Sequence, residues 1–356
     1  MKKLILVLVG LILIGSVIYR HLPVALLTPP KGDYIDLHVH VGCIGAGGSG
    51  CFLSPLLAQS FKYPFYLRAF DTTQQEIENE GDSVIVKKLS RKISESKWVS
   101  KAVVLAMDGV IGVDGNIDYE RTQVFIPNEF VASETARYDN LLYGASVNPN
   151  RPDALQRLEQ VKRDGAVLIK WIPAIMDIDP ADPALSEFYR KLVELDLPLL
   201  THAGQERSFS YAHDELGDPM RLKLPLELGV TVIAAHIATT GQNQGQDNFE
   251  RILPLFDLYP NLFTDISSLT QINKLGFLVR ALDNPLLIER MVFGTDWPLQ
   301  FFPLVSPWYQ IKHVSASKLK AIHRIDNQWD RGIALKRALG VPDSVFARSA
   351  KLLGND

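Results

Sequence analysis

The chain has 356 residues, of which 47% are hydrophobic and 22% charged, and its formal net charge is −3. These proportions exclude a disordered chain. No lysine or arginine run offers nucleic acid an electrostatic footprint, so a nucleic-acid partner is excluded as well. Setting aside an apolar leader leaves about 325 residues, enough for one large α/β domain or two medium ones.

The leader reads MKKLILVLVGLILIGSVIYRHLP, with Lys2 and Lys3 ahead of a charge-free stretch from Leu4 to Tyr19. A membrane-crossing helix needs about 20 residues and at least about 17, and Tyr19 with a snorkelling Arg20 extends the stretch to that limit. The expectation is a membrane-anchored protein: a signal anchor or transmembrane segment over residues 1–22, a linker over 23–32 and one domain over 33–356. Lys2 and Lys3 would place that domain on the periplasmic side. A cleaved signal peptide is the alternative, although no small-x-small cleavage site follows.

The next element is Tyr34–His40, the first of eight short aliphatic runs. The others are Ala102–Met107, Leu142–Val147, Val167–Ile172, Pro198–His202, Val230–His236, Leu262–Ile266 and Met291–Asp296. Nearly continuous apolar runs bounded by turn residues are the pattern of parallel strands buried on both faces. Between them lie helical patterns at Pro152–Arg163, Pro183–Leu195, Asn248–Tyr259 and Ile272–Leu282, with Asp, Asn or Pro at starts and Gly or Pro at stops. Eight alternating β and α units predict a (β/α)8 TIM barrel, an architecture of about 250 residues, with a doubly wound open sheet as the rival. Residues 41–100 and 108–140 exceed a simple crossover and read as elaborated loops over the site. Asn327–Leu353 reads as a closing helix outside the barrel, broken at Gly340-Val341-Pro342.

Both cysteines, Cys43 and Cys51, fall in the first of these loops. An oxidising compartment would permit a disulfide between them, and two free thiols are the alternative. The Gly45–Gly50 stretch lacks the context of a Walker or dinucleotide loop and reads as a flexible lid.

The first strand ends Asp36-Leu37-His38-Val39-His40. Residues two apart share a strand face, so both imidazoles project together, and two neutral imidazoles form a pincer for a divalent ion. Asp36 shares their face and reads as an orienting partner. Barrel enzymes carry their chemistry at the carboxyl ends of the strands, where His202, His236 and Asp296 also stand. Any one of these histidines alone reads as a core residue bonded to a neighbour. Four histidines and a carboxylate at one barrel end would be costly to desolvate without an ion.

The ordered set His38-x-His40, His202, His236, Asp296 resembles the amidohydrolase superfamily, in particular its amidohydrolase-2 branch, related to aminocarboxymuconate-semialdehyde decarboxylase. Phe263-Thr264-Asp265-Ile266-Ser267 and Val292-Phe293-Gly294-Thr295-Asp296-Trp297-Pro298 carry the resemblance further. It runs from about residue 33 to the carboxyl terminus. It implies one metal held by His38, His40, His202 and Asp296, with His236 polarising the substrate. Mixed imidazole and carboxylate ligation suits zinc best, with manganese or iron as the alternatives. Asp296 would take a proton from the attacking water and return it to the leaving group, while His236 stabilises the oxyanion.

Lys170, inside the fourth strand, is either an unmodified polar partner of His40 or Asp296, the preferred reading, or a carboxylated bridge to a second metal. His213, Trp171 and Trp297 are candidates for substrate contact, against solvated-loop and packing roles. His21, His313 and His323 read as surface or packing residues. The expected function is metal-dependent hydrolysis of a small-molecule amide, ester or lactone. The alternatives are non-oxidative decarboxylation of an aromatic or unsaturated acid, gripped by Arg207 or Arg68, and a membrane-tethered binding protein without turnover. The sequence leaves the oligomeric state open.

Overall fold

A computed structural model describes residues 19–28 and 34–354. The eight aliphatic runs form the parallel strands β1 (Tyr34–His40), β2 (Val99–Leu105), β3 (Leu141–Ala145), β4 (Leu168–Trp171), β5 (Leu199–Thr201), β6 (Val232–Ala234), β7 (Leu262–Asp265) and β8 (Met291–Val292). They pair in chain order within one sheet. Beyond β8 the chain runs along β1. Leu37 N donates to Phe293 O (3.2 Å), Asp296 N to His38 O (2.9 Å) and His40 N to Trp297 O (2.9 Å). These bonds curl the sheet back onto its first strand.

Helices cover every crossover, among them α1 (Ser83–Ser94), α2 (Asn128–Thr135), α3 (Ala154–Arg163), α4 (Ser186–Glu194), α5 (Lys223–Glu227), α6 (Asn248–Leu258), α7 (Pro285–Arg290) and, after β8, α8 (Asp343–Leu352). Helix α1 buries Val86, Leu89 and Ile93, an apolar stripe at three- and four-residue spacing. Helix α7 starts as its Asn-Pro signal requires, with the Asn284 side chain accepting from Leu286 N and Leu287 N. One expected helix divides, and the closing helix breaks where its sequence signals. Ile272–Leu282 becomes a single turn over Ile272–Lys274 and a helix over Phe277–Leu282, because Gly276 sits at φ 89° between them. Asn327–Leu353 breaks at Gly340, at φ 107°, into Gln328–Ala338 and α8. Helix α8 seals the β8–β1 seam. Phe346 packs on Tyr34 and Phe293 at 5.4 Å between ring centroids.

Strand β1 carries a bulge. Asp36 pairs with Ala102 and Val39 with Val104, so Leu37 and His38 together oppose one residue of β2. A bulge re-aims side chains. Before it, Ile35 and Leu37 join the apolar plug inside the barrel; after it, Val39 joins the layer between sheet and helices. Asp36 therefore does not share the face of His38 and His40, and its expected role as their orienting partner is corrected. Its Oδ1 accepts from His38 N (3.1 Å) and Thr295 N (3.0 Å), and its Oδ2 from Thr295 Oγ1 (2.5 Å) and Trp329 Nε1 (2.7 Å). It is a fastener of the seam.

The elaborated loops pair through a small ribbon, Phe52–Leu53 against Val124–Phe125. A disulfide joins Cys43 to Cys51. The Gly45–Gly50 stretch is pinned rather than loose: Asp82 accepts from Ile44 N (2.8 Å), Gly45 N (2.9 Å) and Ser49 Oγ (2.5 Å).

The membrane-anchored placement is corrected. Among the described residues no helix is long and apolar enough to cross a membrane, and residues 1–18, on which the expectation rested, lie outside them. Residues 19–21 form a helical turn docked on the barrel's outer shell. Lys320 Nζ donates to Tyr19 O (2.6 Å), Arg20 O (3.2 Å) and Leu22 O (2.6 Å).

Replacing Asp36 by Asn removes an acceptor facing Trp329 Nε1. Leaving a buried donor unpaired costs about 1–3 kcal/mol, and urea unfolding should show that loss. Burial raises the Asp36 pKa from 3.8 to about 6. Its titratable contribution to stability is therefore full below the unfolded value of 3.8 and lost as pH rises through about 6. The gap between wild type and Asp36→Asn should be wider at pH 4 than at pH 8 (both about), read from the same unfolding curves.

Candidate active site

After the bulge, His38 and His40 face each other across the barrel mouth, Nε2 to Nε2 at 3.1 Å. His38 is fixed from behind. Its Nδ1 lies 2.6 Å from Asp265 Oδ2, while Asp265 Oδ1 accepts from His236 N (2.8 Å), Ser267 N (3.0 Å) and Ser267 Oγ (2.5 Å). Burial alone would raise Asp265, yet His38 and the Ser267 hydroxyl hold it below its usual value. An ionised Asp265 keeps the proton on His38 Nδ1 and leaves the Nε2 lone pair free for a ligand. Burial, aided by Lys170, lowers the His38 pKa from 6.5 to about 4, so the ring is neutral. Gly294 makes this approach possible: a Cβ there would sit 2.8 Å from His38 Cβ and 3.1 Å from Asp265 Oδ2.

Asp296 reaches the same point from the closing seam. Its Oδ1 is 3.6 Å from His38 Nε2 and 3.4 Å from His40 Nε2. Its Oδ2 accepts from Ser268 Oγ (2.5 Å), which accepts in turn from Gln271 Nε2 (3.0 Å). Burial would raise the carboxyl, but His40 and the surrounding imidazoles bring it well below its usual value. Asp296 at φ 62°, Ser268 at 57° and His236 at 41° all occupy the left-handed region. Such backbone persists where the surroundings over-determine it, and it concentrates at functional sites.

Potential ligand atoms of His38, His40 and Asp296 lie within 4.8 Å of one another. His202 stands outside that group. Its Nδ1 is 3.2 Å from His236 Nε2 and 3.4 Å from Glu206 Oε2. His40 Nδ1, His202 Nε2 and His236 Nδ1 are buried without a hydrogen-bond partner among the described residues. Lys170 points inward from β4, with Nζ 3.0 Å from His38 Nε2; the expected contacts were His40 or Asp296. Burial lowers its pKa from 10.5 to about 8.

A cavity of about 190 Å³ opens beside these residues. One end is polar, with Lys170, Glu206, Arg207 and Lys274 joining the histidines and Asp296. The other is an apolar wall that the elaborated loops supply through residues such as Ile44, Leu57, Phe70, Met107 and Ile126. Trp171 and Trp297 are fully buried and do not line it. Strand alternation turns Trp171 outward onto Phe188 and Tyr189 of α4. Trp297 packs between Phe70 and Trp329. His213 lies in a loop with 56% of its side chain exposed, 3.6 Å from Glu215. Arg207 lines the cavity and donates to Gln205 Oε1, whereas Arg68 does not line it.

Asp265 entered the sequence analysis only inside a resembling motif, with no role of its own, and Glu206 and Lys274 did not enter it. Asp265 closes an apolar run just as Asp296 does, and that signal could have found it. Glu206 follows His202 by four residues in a loop, and Lys274 sits in a short turn after β7; neither position carries a pattern.

The sequence matches the Amidohydrolase family over residues 96–312, and no curated protein matches it. Among solved structures, an uncharacterised TIM-barrel protein from Bordetella bronchiseptica is 13% identical, with TM-score 0.52 over 86% of this chain and 99% of its own. IDCase from Metarhizium anisopliae is 13% identical, with TM-score 0.53 over 91% of this chain and 97% of its own. At these identities the likeness is one of fold. The matched span exceeds half of the chain and includes β2 to β8 with Lys170, His202, His236 and Asp296: the chain belongs to the amidohydrolase family.

Proposed function

We propose that the chain is a metal-dependent hydrolase acting on an amide, ester or lactone carbonyl. The observation that supports this reading is the meeting of His38, His40 and Asp296 at one point of the cavity. Two imidazole nitrogens 3.1 Å apart, with an ionised carboxylate beside them, suit a shared cation. The proposal adds His202 as fourth ligand, supported by its Nε2 being buried and without a partner among the described residues. This donor chemistry favours zinc over a harder ion.

When bound, such an ion acidifies a water and polarises the scissile carbonyl. The chain's own residues do the rest. Asp296, held ionised, accepts the proton of the attacking water through Oδ1 and passes it to the leaving group, while Ser268 keeps Oδ2 occupied. His236 is buried and its pKa well below 6.5, so it is neutral, able to present one N–H to the developing oxyanion. Asp265 fixes both His38 and the backbone of His236. The apolar wall holds the substrate body and limits water at the polar end. Decarboxylation is the second reading, because Lys274 and Arg207 at the polar end could grip a carboxylate.

Stripping the purified chain with a chelator and assaying a panel of esters, lactones and amides tests the proposal. Activity should vanish and return on adding zinc. Activity that survives chelation, or carbon dioxide release without hydrolysis, would sink it. Substituting Asp265 by Asn should weaken zinc binding by about 10–100-fold, the usual effect of removing an outer partner of a ligating histidine. A competitive chelator titration reads that loss, and an unchanged affinity would show that Asp265 does not orient His38.

A further inference from the structure

Three cations line the cavity: Lys170, Arg207 and Lys274. Lys170 is engaged with His38 Nε2, and Arg207 with Gln205. Lys274 differs from both. Its residue is only 5% exposed, and no hydrogen bond or ion pair reaches its Nζ among the described residues. Its charge lies close enough to the polar end to depress His236, after burial the largest influence on that ring, and to be favoured itself by Asp296 and Glu206. Set in the cavity wall and mostly withdrawn from bulk water, an ammonium without a partner is costly. The fold nevertheless holds it in place. It sits two residues beyond the Ile272 backbone bond to Leu304 O (2.9 Å) and three beyond Gln271, whose side chain steadies Ser268 and so Asp296.

We infer that Lys274 anchors a carboxylate of the substrate, and that the substrate is a carboxylate-bearing acyl compound with an extended apolar body. A single free ammonium near two acidic groups, Asp296 and Glu206, suits a monoanion better than a phosphate dianion. The apolar wall of Ile44, Leu57 and Phe70 receives the hydrocarbon portion. Lys274 thus acts as a positioning and specificity residue, setting the scissile carbonyl beside His236. The inference extends the hydrolase reading, but its test does not depend on turnover.

The test uses isothermal titration of the metal-free full chain with octanoate and with octanamide, matched in length and differing in charge. Wild type should bind octanoate about tenfold more tightly or better, the worth of a charged hydrogen bond. Lys274→Gln should lose the preference and Lys274→Arg should keep it, while all three retain equal zinc affinity. A crystal structure with octanoate reads the same claim without any variant, through its carboxylate within hydrogen-bond reach of Lys274 Nζ. Equal binding of the two probes by wild type, a preference that survives Lys274→Gln, or a carboxylate seated elsewhere would each overturn the inference. Absence of zinc binding with the octanoate preference intact would instead refute the hydrolase reading and leave this one standing.

Discussion

The hydrogen bond from Asp296 N to His38 O, 2.9 Å long, closes the sheet and assembles the site in one step. It draws the chain after β8 alongside β1, and thereby sets a carboxylate from one end of the sequence beside two imidazoles from the other. Everything chemical in the cavity depends on that seam staying closed. Several parts of the structure serve it. Asp36 accepts from both the backbone and the hydroxyl of Thr295 across it, helix α8 covers it with Phe346, and Ser349 Oγ bonds both Phe293 N (2.8 Å) and Phe293 O (3.0 Å).

The electrostatics follow from burying so many titratable groups together. Desolvation drives His38, His236 and Lys170 toward their neutral forms, while paired donors keep Asp265 and Asp296 ionised. Neutral imidazoles beside an ionised carboxylate are what a divalent cation requires of its ligands. The same low dielectric makes every unpaired polar atom expensive. Among the described residues His40 Nδ1, His202 Nε2 and His236 Nδ1 have no partner, and the proposed function gives His202 Nε2 a ligand to meet.

The barrel was legible because its signal is local: all eight aliphatic runs became strands, with edges shifted by a few residues. The meeting of His38, His40 and Asp296 was legible because strand ends share one rim of such a barrel. What failed did so where one residue changes the phase. Asp36 was assigned to the histidine face by simple alternation, and the bulge at Leu37–His38 reversed it. Trp171 and Trp297 adjoin site residues in sequence, yet alternation and the seam turn both into packing layers. Asp265 fixes His38, 227 residues away in sequence, and Lys274 lines the cavity from a short turn; sequence spacing shows neither placement. The leader shows another limit, since a hydropathy argument about residues 1–18 says nothing of how residues 19–28 dock on Lys320.

The central claim is that His38, His40 and Asp296 share one cation. X-ray absorption at the zinc edge, on the reconstituted full chain, tests it most directly. The account predicts a stoichiometric ion with nitrogen and oxygen neighbours and strong imidazole scattering, lost in the His38→Ala/His40→Ala double variant. An ion whose spectrum is unchanged in that variant, or a wild type that retains no ion, would contradict it.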